Sequence, residues 1–175
     1  MEETPELEVN PPQIQLESPE AFFDMLHPTD LKNVNRVREL FETFRSERGI
    51  AGFIGVVGSS SVEQQGREPD DIDLLVGIQQ DLGNIDGLAP IGVSRRRFER
   101  WKESLHDVIE QLKAEGVKVT EDEQIRPSHS SEDVTVNDGK LTLTFPQGKQ
   151  IELLCDQDPA SHQDAYDASL QPHAA

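Results

Sequence analysis

The sequence predicts an α/β protein in which a small mixed sheet is flanked by helices. Apolar residues recur at helical spacing in 31–44 and 98–112, and short apolar runs typical of strands lie at 50–57, 71–78 and 150–155. The chain has 175 residues, which is enough for one domain with a substantial core. We therefore expect a single sheet with helices on one side.

The two ends of the chain differ in composition from its middle. Residues 1–17 are acidic and contain several prolines, so we expect a disordered or loosely docked tail. Residues 18–156 are expected to form the folded domain, and 157–175 a weakly ordered C-terminal tail. Within the domain, Ser18-Pro19-Glu20 has the pattern of a helix start, which predicts a short helix over 21–26.

The first half of the domain reads as a helix followed by two strands. Asp30 has the chemistry of an N-cap and Gly49 that of a helix end, so a long helix is expected between them. The glycine-containing run 50–57 is apolar throughout, which is typical of a central strand buried on both faces. A second strand is expected over 71–78.

The second half begins with the strongest helical pattern, over 94–115, which Gly116 should end. A short strand at 117–120 and a polar loop at 121–132 are expected next. Asn137-Asp138-Gly139 lies between strand-like runs and predicts a hairpin turn. The last strand is expected over 150–155.

The charge of the chain limits its partners. Lys and Arg number 16 against 34 Asp and Glu, a formal net charge of −18, which makes extended binding to a nucleic-acid backbone an unfavourable expectation. A basic protein partner and a halophilic source would each account for such a charge. We expect a cytoplasmic protein, because no apolar run approaches the length of a membrane span and the single Cys155, interpreted as a packed thiol, excludes an internal disulfide.

Asp71-Ile72-Asp73 is the stretch that most suggests chemistry. Side chains alternate between the faces of a strand, so Asp71 and Asp73 should project to the same side. Two carboxylates held that close repel each other unless a cation lies between them, and a divalent metal ion meets this need. The alternative is that both aspartates form the solvent face of an edge strand.

Polar residues upstream of this pair could bind phosphate. Gly58 allows close approach of the backbone to a ligand, and the hydroxyls and N–H groups of Ser59 and Ser60 could hold phosphate oxygens. A tight polar turn is the alternative. Arg67, in the following spacer, is a further candidate for phosphate contact. The cluster formed by residues 95–97 and Arg100 could meet triphosphate oxygens or an acidic partner. It could instead be a solvated helix start paired with local acids such as Glu99 and Glu103.

Glu152 is the candidate third carboxylate. It stands between apolar residues of the last strand, where an unpaired buried acid would be costly. If that strand lies beside the strand that contains Asp71 and Asp73, the three acids converge. Asp156 is the competing choice, but it follows the strand and is expected to cap a turn.

Together, Gly58-Ser59, the spacer, Asp71-Ile72-Asp73 and the later Glu152 resemble the signature of the DNA polymerase β-like nucleotidyltransferase superfamily. The resemblance implies a nucleotidyltransferase-like sheet with the site at its edge, and an enzyme that moves an NMP from an NTP, expected to be ATP, to a hydroxyl. It also implies two Mg²⁺ or Mn²⁺ ions held by the three acids, with Gly58 and Ser59 on the triphosphate. We expect Ser60 and Arg67 to contact the nucleotide beside them. Glu152 departs from the more usual Asp at the third position.

The acceptor is left open by the sequence. The chain could act with a separate basic partner, as small antitoxin-type nucleotidyltransferases do, and modify or mask it. It could instead keep the fold as a non-catalytic interaction module. A small-molecule acceptor is the third alternative.

Overall fold

The computed structural model describes residues 26–56, 72–127, 135–157 and 159–170. Within these residues the chain forms four helices and one five-stranded sheet. The helices are α1 (Pro28–Arg48), α2 (Pro90–Ser104), α3 (His106–Ala114) and α4 (Gln163–Ser169). The strands are β1 (Gly52–Val56), β2 (Ile72–Ile78), β3 (Lys118–Pro127), β4 (Thr135–Thr144) and β5 (Ile151–Cys155). The predicted tail 1–17 and the predicted short helix, apart from Leu26, lie outside the described residues.

The sheet is mixed, as the sequence predicts. Its strand order is β1-β2-β5-β4-β3. β2 and β5 are parallel neighbours in the interior of the sheet, and every other neighbouring pair is antiparallel. The prediction that the run 50–57 is the central strand is wrong, because β1 lies at one end of the strand order.

One face of the sheet carries the hydrophobic core. Alternate residues of β2, β5 and β4 point to this face, and α1, α2 and α3 cover it. Trp101 of α2 is fully buried and donates its indole N–H to the carbonyl oxygen of Val76, 3.0 Å away. Cys155 is 5% exposed in the same core, which confirms its interpretation as a packed thiol. The buried members contributed by the strands are Ile72, Leu74, Val76, Ile78, Leu141, Leu143, Ile151, Leu153 and Cys155.

Helix α1 begins before the predicted cap. His27 is the N-cap residue, and its Nδ1 accepts the backbone N–H of Thr29 at 3.1 Å. Pro28 takes the first helical position, where its missing N–H costs nothing. Asp30 is buried and instead accepts the backbone N–H of Lys149 at 2.8 Å. Gly49 ends the helix in the left-handed conformation, with φ of 65°, as predicted.

The helix predicted over 94–115 is two helices. The first starts at Pro90, which suits the first turn for the same reason as Pro28. The break falls at Leu105, whose φ of −87° and ψ of 3° depart from helical values while its side chain stays in the core. Its N–H is shared between the carbonyl oxygens of Trp101 and Lys102, each 3.1 Å away.

The predicted hairpin turn is also wrong. Residues 137–139 lie inside β4 and pair with residues 123–125 of β3, so the predicted loop 121–132 is strand as far as Pro127. The reason is visible at Gly139, where a Cβ atom would lie 2.2 Å from the Phe98 ring of α2. Glycine is needed here for helix-to-sheet packing, and not for a turn.

The described part of the C-terminal segment differs from the predicted weakly ordered tail. A 3-10 turn (Pro159–His162) leads into α4, which packs on the sheet face opposite the core. The ring of Tyr166 contacts Phe53 of β1 edge to face, with 5.0 Å between centroids. The prediction that all helices lie on one side of the sheet is therefore wrong for α4.

Among the residues described, no helix is both long enough and apolar enough to cross a membrane.

Candidate functional site on the open sheet face

The candidate site lies where the parallel strands β2 and β5 run side by side. Asp73 of β2 is directly opposite Glu152 of β5 in the strand register. Their neighbours Ile72 and Ile151 point into the core, so alternation sends both acids to the opposite face. Both acids are partly exposed there. The structure thus brings together two of the three predicted acids, in the interior of the strand order and not at an edge strand.

The other predicted site residues cannot be placed in the same way. Asp71, Gly58, Ser59, Ser60 and Arg67 all lie outside the described residues. The structure describes Ile72 directly after Asp71, and it describes β1 as far as Val56, before Gly58. The roles of these five residues stay predictions.

We call the sheet face opposite the core the open face. A row of polar side chains crosses it at the level of the two acids. Thr142 of β4 is opposite Glu152, and Thr120 of β3 is opposite Thr142. With Asp73 and Glu152 these threonines form one line across four strands. The face is therefore polar where the acids lie, whereas α4 covers it near the carboxyl end of β2.

Lys140 is the residue of this face that the sequence analysis missed. Its ammonium Nζ lies 3.2 Å from Oε1 of Glu152, and the two side chains are 33% and 20% exposed. The hairpin prediction placed Lys140 directly after a turn. Had 135–144 been treated as one strand, the period-two pattern of Lys140, Thr142 and Thr144 would have predicted a polar face.

The acid pair suits a hard divalent cation. Neighbouring strands are about 4.8 Å apart, so carboxylates in register on one face can both reach an ion between them. Mg²⁺ and Mn²⁺ prefer such oxygen ligands. The donor set of Asp73 and Glu152 therefore fits the metal that the family resemblance implies.

A second acidic cluster has a different character. Carboxylate oxygens of Glu99, Glu121 and Glu123 lie within 4.8 Å of one another, and all three residues are exposed. Nζ of Lys102 lies 2.6 Å from Glu121 and 3.2 Å from Glu99, so one ammonium offsets part of the charge of three carboxylates that could otherwise hold a metal ion. The cluster is on the core side of the sheet, away from Asp73.

Two arginines at the start of the 94–115 pattern, Arg96 and Arg100, donate hydrogen bonds to backbone carbonyl oxygens of the preceding loop. Nη1 of Arg96 donates to the carbonyl oxygens of Leu82 at 3.1 Å and Asn84 at 2.7 Å. Nη1 of Arg100 donates to the carbonyl oxygen of Asp81 at 2.9 Å. These two side chains hold the loop before α2, and their hydrogen bonds are to backbone oxygens rather than to the local acids.

Asp156, predicted to cap a turn, contacts two side chains of the C-terminal segment. It is 3% exposed and accepts the hydroxyl of Tyr166 at 2.8 Å, while Nδ1 of His162 lies 3.0 Å from its other oxygen. Burial, and then the neighbouring Asp156 carboxylate, raise the pKa of Tyr166 well above its ordinary value. This network joins the end of β5 to the C-terminal segment.

A groove of about 680 Å³ lies along α1, away from the acid pair. Leu31, Val117 and Phe145 contribute its apolar lining, and the ion pair between Arg36 and Glu115 stands beside them. It shares no lining residue with the open sheet face.

We compared the chain with known protein families, curated proteins and solved structures. A scan against protein-family models found no match, and searches of curated proteins and of solved structures found none either. The resemblance to the nucleotidyltransferase superfamily therefore rests on the sequence motif and stays a prediction.

Proposed function

We propose that the protein is a metal-dependent nucleotidyltransferase that moves an NMP from an NTP, expected to be ATP, to a hydroxyl of a protein or small molecule. The observation that carries the proposal is the register of Asp73 with Glu152 on adjacent parallel strands. The motif requires this pair to be close in space, although 78 residues separate them in sequence. Both side chains are partly exposed on that face.

In this reaction the acceptor oxygen forms a bond to the α-phosphorus, and the bond between that phosphorus and the pyrophosphate oxygen breaks. Asp73 and Glu152, with Asp71, would hold the metal. The metal would supply positive charge to the phosphate oxygens and lower the pKa of the acceptor hydroxyl. Glu152 would orient the acceptor and could take its proton, while residues of the Gly58-Ser59 segment would bind the triphosphate.

The test is Asp73→Asn, which keeps the shape of the side chain and removes its charge. We expect Mn²⁺ affinity to fall and transfer of labelled nucleotide to a candidate acceptor to drop on the order of 100-fold or more. Asp164→Asn is the matched control. It makes the same chemical change at a residue that is exposed on α4, away from the acid pair. Activity that is undiminished in Asp73→Asn, or a wild-type protein that binds no nucleotide, would contradict the proposal.

A second function is favoured by the Lys140–Glu152 ion pair. A carboxylate that is already neutralised by an ammonium can be a structural group, as in a non-catalytic interaction module with a basic protein partner. The net charge of −18 suits that partner. Co-purification with a basic protein, followed by the intact mass of that protein, separates the two functions: an added nucleotide mass indicates transfer, and an unchanged mass indicates masking.

A further inference from the structure

We propose that Arg97 binds an oxyanion, the phosphate or carboxylate group of a small molecule, at a second site beyond the carboxyl ends of β2 and β5. The site is built from Arg97 of α2 and from Gln80, which follows the end of β2 by two residues. It is separate from the pair Asp73 and Glu152, so the inference does not depend on the proposed function.

The arginines of α2 differ in what they contact. Arg96 and Arg100 donate to backbone carbonyl oxygens of the preceding loop. No hydrogen bond or ion pair joins Arg97 to another residue that the structure describes, and its Nε is buried without an acceptor. A buried donor without an acceptor is costly, and a bound ion or ordered water is a usual reason for one. The structure therefore singles out Arg97 within the predicted arginine cluster.

The neighbours of Arg97 on α2 place it above the carboxyl ends of the two parallel strands. Ser94 and Trp101 lie one turn before it and one turn after it, on the buried side of the helix. The carbonyl oxygen of Ser94 accepts the amide of Gln157, just after β5, at 3.1 Å. Trp101 donates to the carbonyl oxygen of Val76 in β2 at 3.0 Å. In open α/β sheets, ligands bind in the crevice beyond the carboxyl ends of the strands.

A second buried polar atom lies at the same end of β2. Oε1 of Gln80 is buried and has no hydrogen-bond partner among the described residues. The backbone N–H of Gln79 still donates to Ala51 at 2.8 Å, so strand pairing continues this far, and alternation from Ile78 directs Gln80 to the side that α2 covers. An amide can present its oxygen or its NH₂ group, so Gln80 can add a donor for an oxyanion.

The nearby Asp156 carboxylate has partners of its own. Nδ1 of His162 lies 3.0 Å from one oxygen, and the hydroxyl of Tyr166 donates to the other at 2.8 Å. Burial, and then the Asp156 carboxylate, raise the pKa of Tyr166, and the charge of Arg97 opposes this rise. The guanidinium therefore acts on this region without pairing with Asp156. The negative charge of Asp156 weakens attraction for an anion, so we expect a dissociation constant on the order of 1 mM.

The guanidinium selects the kind of anion. It is planar and carries five N–H donors, so its Nε and one Nη can donate in parallel to two oxygens of a phosphate or carboxylate. A chloride ion offers a single acceptor and cannot form this pair. Lysine would keep the charge of Arg97 but lose the paired geometry.

The test follows the Nε–H signal of Arg97 by ¹H–¹⁵N NMR. Wild type is titrated with inorganic phosphate and, separately, with acetate, and NaCl keeps the ionic strength constant. The signal is assigned by its loss in Arg97→Lys. The Nε–H of Arg36, which already donates to Glu115 at 2.9 Å, is the internal reference. We expect a saturable shift at Arg97 and none at Arg36, and the anion that saturates at the lower concentration identifies the group as phosphate or carboxylate.

Substitutions measure the contribution of each residue, with the backbone N–H signals of residues 94–101 as the readout. We expect Arg97→Met to weaken binding about 10-fold or more, and Gln80→Leu to weaken it by a smaller factor. Arg95→Met is the matched control, because it removes the same charge from an exposed position of α2. It should change the affinity by less than about 2-fold, since exposed charges are screened.

Two results would overturn the inference. The first is a wild-type Arg97 signal that does not saturate with either anion, which would show that water satisfies the buried Nε. The second is equal affinity in wild type and a folded Arg97→Met. The wild-type titration decides the question even if Arg97→Met does not fold.

Discussion

At the scale of single residues, Asp156 shows how one buried carboxylate organises a segment. It follows β5 directly, is nearly inaccessible, and receives a hydrogen bond from Tyr166 and a contact from His162. A buried acid is costly unless it is hydrogen-bonded, so these partners must stay in place for the fold to tolerate it. The C-terminal segment is therefore held by polar contacts as well as by the packing of Tyr166 on Phe53.

We predict that Tyr166→Phe lowers the free energy of unfolding by about 1–3 kcal/mol, because Asp156 loses a buried hydrogen-bond donor. Urea denaturation followed by fluorescence of Trp101, the single tryptophan, measures this change. Asp164→Asn on the same helix is exposed and should change the value by less than about 0.5 kcal/mol. Equal effects of the two substitutions would contradict a special role for the hydroxyl.

The same tyrosine gives a pH dependence with a definite sign. The pKa of Tyr166 is raised in the folded state above its ordinary value of 10.0. Its contribution to stability is therefore fully present below about pH 10 and is lost as the pH rises further, because the unfolded chain releases the proton first. Tyr166→Phe should lack this alkaline loss. Since Tyr166 is the only tyrosine, phenolate absorbance reports its titration directly.

At the scale of elements, the contact of α2 with β4 decides how the second half of the sheet is built. Phe98 is fully buried, and its ring lies where a Cβ on Gly139 would be, at 2.2–2.3 Å from three ring carbons. The strand can pass under the helix only because residue 139 has no side chain. The close approach lies within the continuous pairing of β3 with β4.

We predict that Gly139→Ala destabilises the protein by about 1–3 kcal/mol, since the added methyl group must displace the Phe98 ring. The control is Gly92→Ala in α2, where the nearest atom to an added Cβ is 3.7 Å away and alanine is the better helix former. That control should be neutral or slightly stabilising. A double variant with Phe98→Leu should recover part of the loss, and purely additive effects would argue against the contact.

At the scale of the whole molecule, the net charge of −18 opposes compact structure through self-repulsion. Local pairs such as Arg48 with Asp107 and Arg36 with Glu115 offset only part of it, because 34 acidic residues face 16 basic ones. Salt shortens the range of this repulsion to about 10 Å at 0.1 M and about 3 Å at 1 M.

We therefore predict that NaCl stabilises the protein. A gain of about 1 kcal/mol between low salt and 0.5–1 M salt would raise the melting temperature by about 2–4 °C for a chain of this size. Thermal unfolding followed through Trp101 fluorescence measures the shift, and KCl should act equally because screening does not depend on the cation. A melting temperature that is unchanged or falls would show that the repulsion is not significant.

Local patterns were sufficient to predict several features. The core stripe of α1, its end at Gly49, β2, β5 and the acids at 73 and 152 all follow from residue spacing, because each depends on neighbours a few positions away in the chain. The prediction that Glu152 joins Asp73 required one further assumption, the adjacency of their strands, which the register supplies.

The remaining features depend on contacts between distant residues. Asn137-Asp138-Gly139 has the composition of a turn, yet Phe98, about 40 positions away, makes it part of a strand. Similarly, Lys140 meets Glu152 only because β4 and β5 are neighbours. The sequence by itself determined the kind of fold, since this follows from periodicity, whereas the metal ligand stays a proposal from residue chemistry. Only the tertiary structure decided strand order and the cation beside Glu152, because both depend on packing between segments far apart in the chain.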